Sequence, residues 1–419
     1  MPGPNILLVM TDQFRFDATG LNGGWAQTPV LDRLAAEGVN YTNCFTNSPI
    51  CMPARISMAT GLYPHNTNVW CNIRYFLPTD VKTWTQVIRD SGYHTALFGK
   101  THYYHHNVKD MRDHEHILRA CGLDVIDEIP GPRACVRVMS NMTERWQKKG
   151  LLQPYIDDFR ERFATKPHLV RPSTLPLEEY YDVYVAEQAE RFLESYRRPE
   201  PWFCWLSFGG PHDPWDAPEP YAGMYDPDRM PEPIMPVEDG HPRPLGYLDT
   251  LRGKKSPAWV RARSGSVADS GGPAGESQYV STLADVPDTN TFSPDFDPGD
   301  IGQMRANYAG SVTLIDEQIG RVLSAVEQRG ELENTVEYAI AMTNTDTLTE
   351  DLVLQSKNDE EELLSLQEAR AKFEKNYIEN ILRITGGNVS KAAELAGKYR
   401  ADLYNLMKKY DISPQDYKV

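Results

Sequence analysis

No apolar run in this 419-residue chain approaches the roughly 18 residues that a membrane-crossing helix needs, so no transmembrane span and no membrane partner are expected. The amino terminus, Met1-Pro2-Gly3-Pro4, lacks the basic segment and apolar core of an export signal, so a cytoplasmic location is expected. Positive charge is scarce. The 43 lysines and arginines face 59 acids, a net charge of −16, which disfavours nonspecific nucleic-acid binding by the whole chain but leaves room for a local basic module. Cysteine is sparse as well: Cys44, Cys51, Cys71, Cys121, Cys135 and Cys204 show no metal-ligand spacing and are expected as reduced thiols. No glycine-rich phosphate loop with its lysine occurs, so ATP hydrolysis is not expected. What remains is ordinary globular composition, 40% hydrophobic and 24% charged, in a chain long enough for two domains.

The apolar run Asn5 to Met10, ending in Thr11-Asp12-Gln13, suits a strand buried on both faces of a mainly parallel sheet. Thr28 to Ala35 reads as a helix with proline in its first turn, and Thr83 to Asp90 as another. His94 to Gly99 and Trp202 to Phe208 read as further strands, the last followed by Gly209-Gly210-Pro211-His212-Asp213-Pro214. Residues 213–300 are rich in proline, glycine and serine and are expected as long surface loops. From Asp300 to Arg329, Ile315, Ile319, Val322, Leu323 and Val326 fall at helical spacing. Alternating strands and helices predict an α/β domain, with ligands at the carboxyl ends of its strands, where Asp12 would stand.

Cys51-Met52-Pro53-Ala54-Arg55, followed by Thr60-Gly61 and Pro64, resembles the signature of the formylglycine-dependent (type I) sulfatases. The resemblance covers residues 4–330 and implies an alkaline-phosphatase-like mixed sheet flanked by helices. It implies hydrolysis of small-molecule sulfate esters, with Cys51 oxidised to formylglycine by a formylglycine-generating enzyme. The aldehyde hydrate offers one hydroxyl to attack sulfur and a second to expel sulfate, an exit that a plain thiol lacks. By the same resemblance Asp12, Gln13 and Cys51 would hold a divalent metal, calcium above others, since a carboxylate suits a hard cation. Arg55 would hold the hydrate. Gly99-Lys100-Thr101-His102 resembles the second signature, Gly-Lys-x-His, with Lys100 on a sulfate oxygen and His102 assisting the hydrate. His212 would contact the ester and aid the leaving group, and Asn72 falls near the nucleophile. Singly, these residues have plainer readings: a buried thiol, a turn cap at Asp12, a solvated lysine, a turn histidine.

The family pattern should continue with a strand ending in Asp-His-Gly or Asp-Asn-Gly, supplying two more metal ligands, and a later lysine. After Glu331-Leu332-Glu333-Asn334-Thr335-Val336 neither tripeptide occurs, so that strand and its ligands are expected to be missing and turnover impaired. Residues 331–362 instead resemble the end of an enhancer-binding regulator's ATPase domain and its linker. Residues 363–419 resemble the Fis-type helix-turn-helix that closes such regulators, carried by Thr385-Gly386-Gly387-Asn388-Val389-Ser390-Lys391-Ala392-Ala393-Glu394-Leu395-Ala396-Gly397, then Arg400, Leu403-Tyr404 and Leu406. That resemblance implies a helix over Glu368–Arg383, a short helix from Ser390, and a recognition helix over Arg400–Tyr410. Ala393, Leu395, Leu403 and Leu406 would form its core, and Ser390, Lys391, Lys398, Arg400, Tyr404, Asn405 and Lys408 would face duplex DNA. From Leu363 onward ten basic side chains face seven acidic ones, a sign that suits phosphate. A three-helix packing module that pairs two copies is the plainer alternative. Three functions stay open on sequence: a sulfate-ester hydrolase, a DNA-binding regulator with a dead amino-terminal domain, and a non-functional gene fusion.

Overall fold

The computed structural model describes residues 3–72, 76–78, 81–106, 108–165, 169–232 and 298–342, and parts of 375–417. The chain divides into two compact units, Met1–Glu350 and Asp351–Val419.

In the first unit, the apolar run after Pro4 forms β1 (Asn5–Asp12). Leu7 and Val9 enter one buried cluster while Leu8 and Met10 enter another, so both faces of the strand demand apolar residues and the run does not alternate. There follow α1 (Pro29–Glu37), α2 (Cys51–Thr60), α3 (Trp84–Asp90), β2 (His94–Gly99), β3 (Val125–Glu128), α4 (Tyr181–Ser195), β4 (Trp202–Ser207), α5 (Pro298–Gln328) and β5 (Thr335–Met342). The strands lie in the order β3-β2-β4-β1-β5, and each described pairing is parallel. Two helices cover one face: Val185, Ala189 and Leu193 of α4, and Ile315, Ile319, Val322 and Val326 of α5. On the other face α2 packs Met52, Ile56 and Ala59. Parallel strands bring their carboxyl ends to one edge of the sheet. Met10 and Gly99 both stand beside Ser207, and Asp12 stands beside Met342.

Two expectations are corrected. A strand does follow Val336: β5 pairs with β1 along its full length, from Asn5 beside Thr335 to Asp12 beside Met342. The expected loss is therefore of the acidic tripeptide rather than of backbone, and Thr343 to Asp346 lie outside the described residues. Nor is the chain after β4 a surface loop throughout, because Asp213, Asp216 and Ala217 are buried. Polar side chains from elsewhere satisfy this segment: Asp216 accepts from Tyr155 Oη at 3.0 Å and Tyr180 Oη at 3.3 Å, and Arg162 Nη1 donates to the Trp215 carbonyl at 3.3 Å. Residues 233–297 lie outside the described residues.

Gly99 ends β2 at φ 112°, and a Cβ there would stand 1.8 Å from the Ser207 carbonyl oxygen. Backbone cannot step aside as a flexible side chain can. Gly99→Ala is expected to cost about 2–4 kcal/mol, read as a lowered thermal midpoint by tryptophan fluorescence.

In the second unit α6 (Val389–Leu395) and α7 (Arg400–Lys409) enclose a small core. Ile378, Leu382, Val389, Ala392, Ala393, Leu403, Met407 and Ile412 are buried, with Leu406 packed against them. Ala393, Leu403 and Leu406 are thus in the core as expected. The side chain of Leu395, most of the expected Glu368–Arg383 helix, and the linker at Asp346–Leu352 lie outside the described residues.

Candidate active site

Three strand ends and one helix start converge. Cys51 is the first residue of α2, where the helix's free N–H groups favour negative charge. Asn72 Oδ1 accepts from Met52 N at 2.9 Å, so this side chain caps the helix beside Cys51. The Cys51 thiol donates to Asp12 Oδ1 at 3.7 Å. The other carboxylate oxygen, Asp12 Oδ2, receives Lys100 Nζ and, at 3.3 Å, Arg55 Nη2. Arg55 is 0% exposed and engages both terminal nitrogens, Nη2 on Asp12 and Nη1 donating to the Lys100 carbonyl at 2.6 Å and to Ser207 Oγ at 3.1 Å, while its buried Nε has no partner among the described residues.

His212 lies with Asp12 and Cys51, their ligand atoms all within 4.8 Å of one another. Its Nδ1 is 2.7 Å from the Asp213 carbonyl and 3.1 Å from Asp213 Oδ1. Asp213 in turn receives Arg133 Nε at 2.8 Å. Gly209 N and Gly210 N donate to Asp182 Oδ1 at 2.8 and 3.2 Å, which fixes the turn leading to His212. His102, at φ 55°, stacks on His106 with centroids 4.3 Å apart. Gln13 also has positive φ, 62°, and its carbonyl accepts from Tyr308 Oη at 2.8 Å; no described contact brings its amide to Asp12 or Cys51.

Charge explains how these groups titrate. Burial alone would raise Asp12, but Lys100, Arg55 and His212 outweigh it and hold the carboxyl well below the usual range. Burial and Asp12 work against a Cys51 thiolate, yet Lys100 and His212 prevail and lower it. For His212 burial favours the neutral ring, but the Asp213 charge and hydrogen bond raise it to about 10. Burial, reinforced by His106 and Lys100, drives His102 well below its ordinary value, so it is neutral and can accept a proton's hydrogen bond. Three cations, Lys100, Arg55 and His212, therefore surround one carboxylate at a single sheet edge. That excess suits a monoanionic or dianionic ester.

Sequence reasoning missed Ser207, Asp213, Arg133, Asp182 and Glu128. Asp213 stood in the Gly-Gly-Pro-His-Asp-Pro run already singled out, but its role needs Arg133 from 80 residues away. Glu128 ends the β3 region and accepts from Thr101 N at 3.3 Å and Tyr104 Oη at 2.5 Å, holding the Lys100–Tyr104 turn. Burial pushes it up to about 7. A carboxyl raised in the folded state stabilises fully below its ordinary value of 4.5, and that contribution is lost as pH rises through about 7. Glu128→Gln is expected to flatten this loss by about 3 kcal/mol, read from urea midpoints at pH 5 and pH 8.

In the tail, Ser390, Lys391, Arg400, Tyr404, Asn405 and Lys408 are all exposed, and Arg400 lies over the Tyr404 ring at 5.6 Å. Lys398 lies outside the described residues.

Comparison with known proteins fits this geometry. Residues 4–336 match the sulfatase family model, and residues 369–410 match the Fis family of bacterial regulatory proteins. Arylsulfatase K of Canis lupus familiaris is 37% identical over 147 residues, 33% of this chain and 27% of the relative; that of Mus musculus is 33% identical over 175 residues, 40% and 30%. The chain thus matches less than a third of the length of these curated relatives. Among solved structures, the phosphonate monoester hydrolase of Agrobacterium radiobacter superposes with a TM-score of 0.57 at 22% identity, over 81% of this chain and 62% of that one, a likeness of fold. With the family model matched from β1 into β5 and a Fis-type module behind it, the chain belongs to the sulfatase family and carries a helix-turn-helix of the Fis family at its end.

Proposed function

We propose that residues 4–336 bind and hydrolyse small sulfate esters through residue 51, converted to formylglycine, at a reduced rate. The observation that carries this reading is the cationic cluster of Lys100, Arg55 and His212 around Cys51 at the start of α2. Formylglycine would supply a nucleophile and, on collapse to the aldehyde, an exit for sulfate. Lys100 is placed to hold an ester oxygen and to stabilise the charge that grows on it. His212, kept protonated by Asp213, can give its proton to the departing alcohol oxygen as the ester bond breaks. Neutral His102 can take a proton from a hydrate oxygen. Calcium is the ion that the family resemblance implies, but the described donor set does not fit it alone. Among the described residues the cluster offers one carboxylate, and that carboxylate's Oδ2 is already held by Lys100 and Arg55. Slow turnover follows from this shortage of hard oxygen ligands. An aryl sulfate assay on protein coexpressed with a formylglycine-generating enzyme tests the reading: calcium-supported turnover at the rate of intact sulfatases would contradict the impairment, and no turnover above a Cys51→Ala control would contradict the hydrolase.

A second reading concerns the tail. The exposed Lys391, Arg400 and Lys408 on α6 and α7 of a Fis-type module support duplex DNA binding, with two copies paired. Lys408→Ala is expected to weaken binding about equally for all duplexes and to reduce the salt slope by about one. Binding by fluorescence anisotropy that survives deletion of residues 363–419 would contradict it.

A further inference from the structure

The mismatch between calcium and the described donors points to a different ion. The three ligand atoms that converge are an oxygen, a sulfur and a nitrogen, a set that borderline-soft transition metals prefer to the oxygen cages of calcium. Zinc bonds of about 2.1 Å to oxygen and 2.3 Å to sulfur, at a tetrahedral angle, separate those two atoms by about 3.6 Å. Asp12 Oδ1 and Cys51 Sγ stand 3.7 Å apart. The supporting contacts match what ligands of such an ion need. Asp12 Oδ1 is turned to Cys51 because Lys100 and Arg55 hold Oδ2. His212 Nδ1 is engaged by Asp213, itself anchored by Arg133, which fixes the ring and leaves Nε2 as the nitrogen open to a metal. A carboxylate behind a ligating histidine is the usual support of a zinc site.

We propose that, while residue 51 remains a cysteine, Asp12 Oδ1, Cys51 Sγ and His212 Nε2 bind one zinc-class divalent ion, with a fourth position left to water. Binding releases two protons to solvent, one from the Cys51 thiol and one from His212 Nε2, leaves the Nδ1 proton on its Asp213 contacts and ties up the sulfur, so zinc occupancy and conversion of Cys51 to the aldehyde exclude each other. This site is independent of the hydrolase reading: it requires the unconverted thiol, whereas hydrolysis requires the aldehyde.

The test uses the full chain made without a formylglycine-generating enzyme, stripped with chelator and titrated with cobalt(II) as a spectroscopic probe. One equivalent is expected to bind with a thiolate-to-cobalt charge-transfer band that zinc then displaces. Cys51→Ser should abolish the band, and Asp213→Asn should weaken affinity roughly 10- to 100-fold. Absence of stoichiometric binding, or a band undiminished in Cys51→Ser, would overturn the proposal. Alkylation of the wild-type thiol provides a readout that needs no variant: zinc should slow iodoacetamide labelling of the peptide carrying Cys51, and equal labelling with and without zinc overturns the proposal too.

Discussion

Replacing Cys51 with alanine is expected to reduce sulfate-ester turnover by a factor on the order of 10³ or more. The side chain at the start of α2 is where the convergent charges point, and alanine offers nothing to attack sulfur. The measurement is aryl sulfate hydrolysis by matched preparations coexpressed with a formylglycine-generating enzyme. The fold should survive, since Cys51 is only half-buried and its hydrogen bond to Asp12 is long, at 3.7 Å. Equal melting midpoints with unequal turnover would separate chemistry from folding. Equal turnover would show that another group performs the reaction.

Arg55→Ala should instead act on stability first. Its guanidinium is fully buried and ties three elements: Asp12 at the end of β1, the Lys100 carbonyl after β2, and Ser207 at the end of β4. Removing it leaves a cavity and a buried carboxylate with one cation fewer, while the Lys100 carbonyl keeps only its bond from Ser207 Oγ at 2.6 Å. Breaking a buried charge pair in this way costs about 3–5 kcal/mol. Arg55→Lys is expected to recover little, because an ammonium cannot serve a carbonyl, a hydroxyl and a carboxylate in one plane. Chemical denaturation of both variants checks this, and a loss under about 1 kcal/mol would mean that the pair is solvated after all.

Much of the site was legible because its residues sit at punctuated places in the chain. Asp12 closes an apolar run, Lys100 follows Gly99, and His212 follows a buried strand and a Gly-Gly turn, so strand ends were readable and parallel topology then gathered them. The arrangement among them was not legible. That Lys100 and Arg55 would share one oxygen of Asp12 depends on Gly99 and Ser207 lying in register, which no local pattern records. Asp213 and Arg133 are 80 residues apart, and Asp182 reaches the Gly209–Gly210 turn from a helix whose apolar spacing masks one buried acid. The absent acidic tripeptide was mistaken for an absent strand. Backbone pairing with β1 needs no particular side chain, so β5 forms although the expected ligands are not in its sequence.

The most direct measurement is the mass of the peptide carrying residue 51, taken from folded protein coexpressed with a formylglycine-generating enzyme. A sulfatase signature at the start of α2, open enough to be converted, predicts the aldehyde: sulfur replaced by oxygen and two hydrogens lost. An unmodified thiol throughout that sample would contradict a formylglycine-dependent hydrolase.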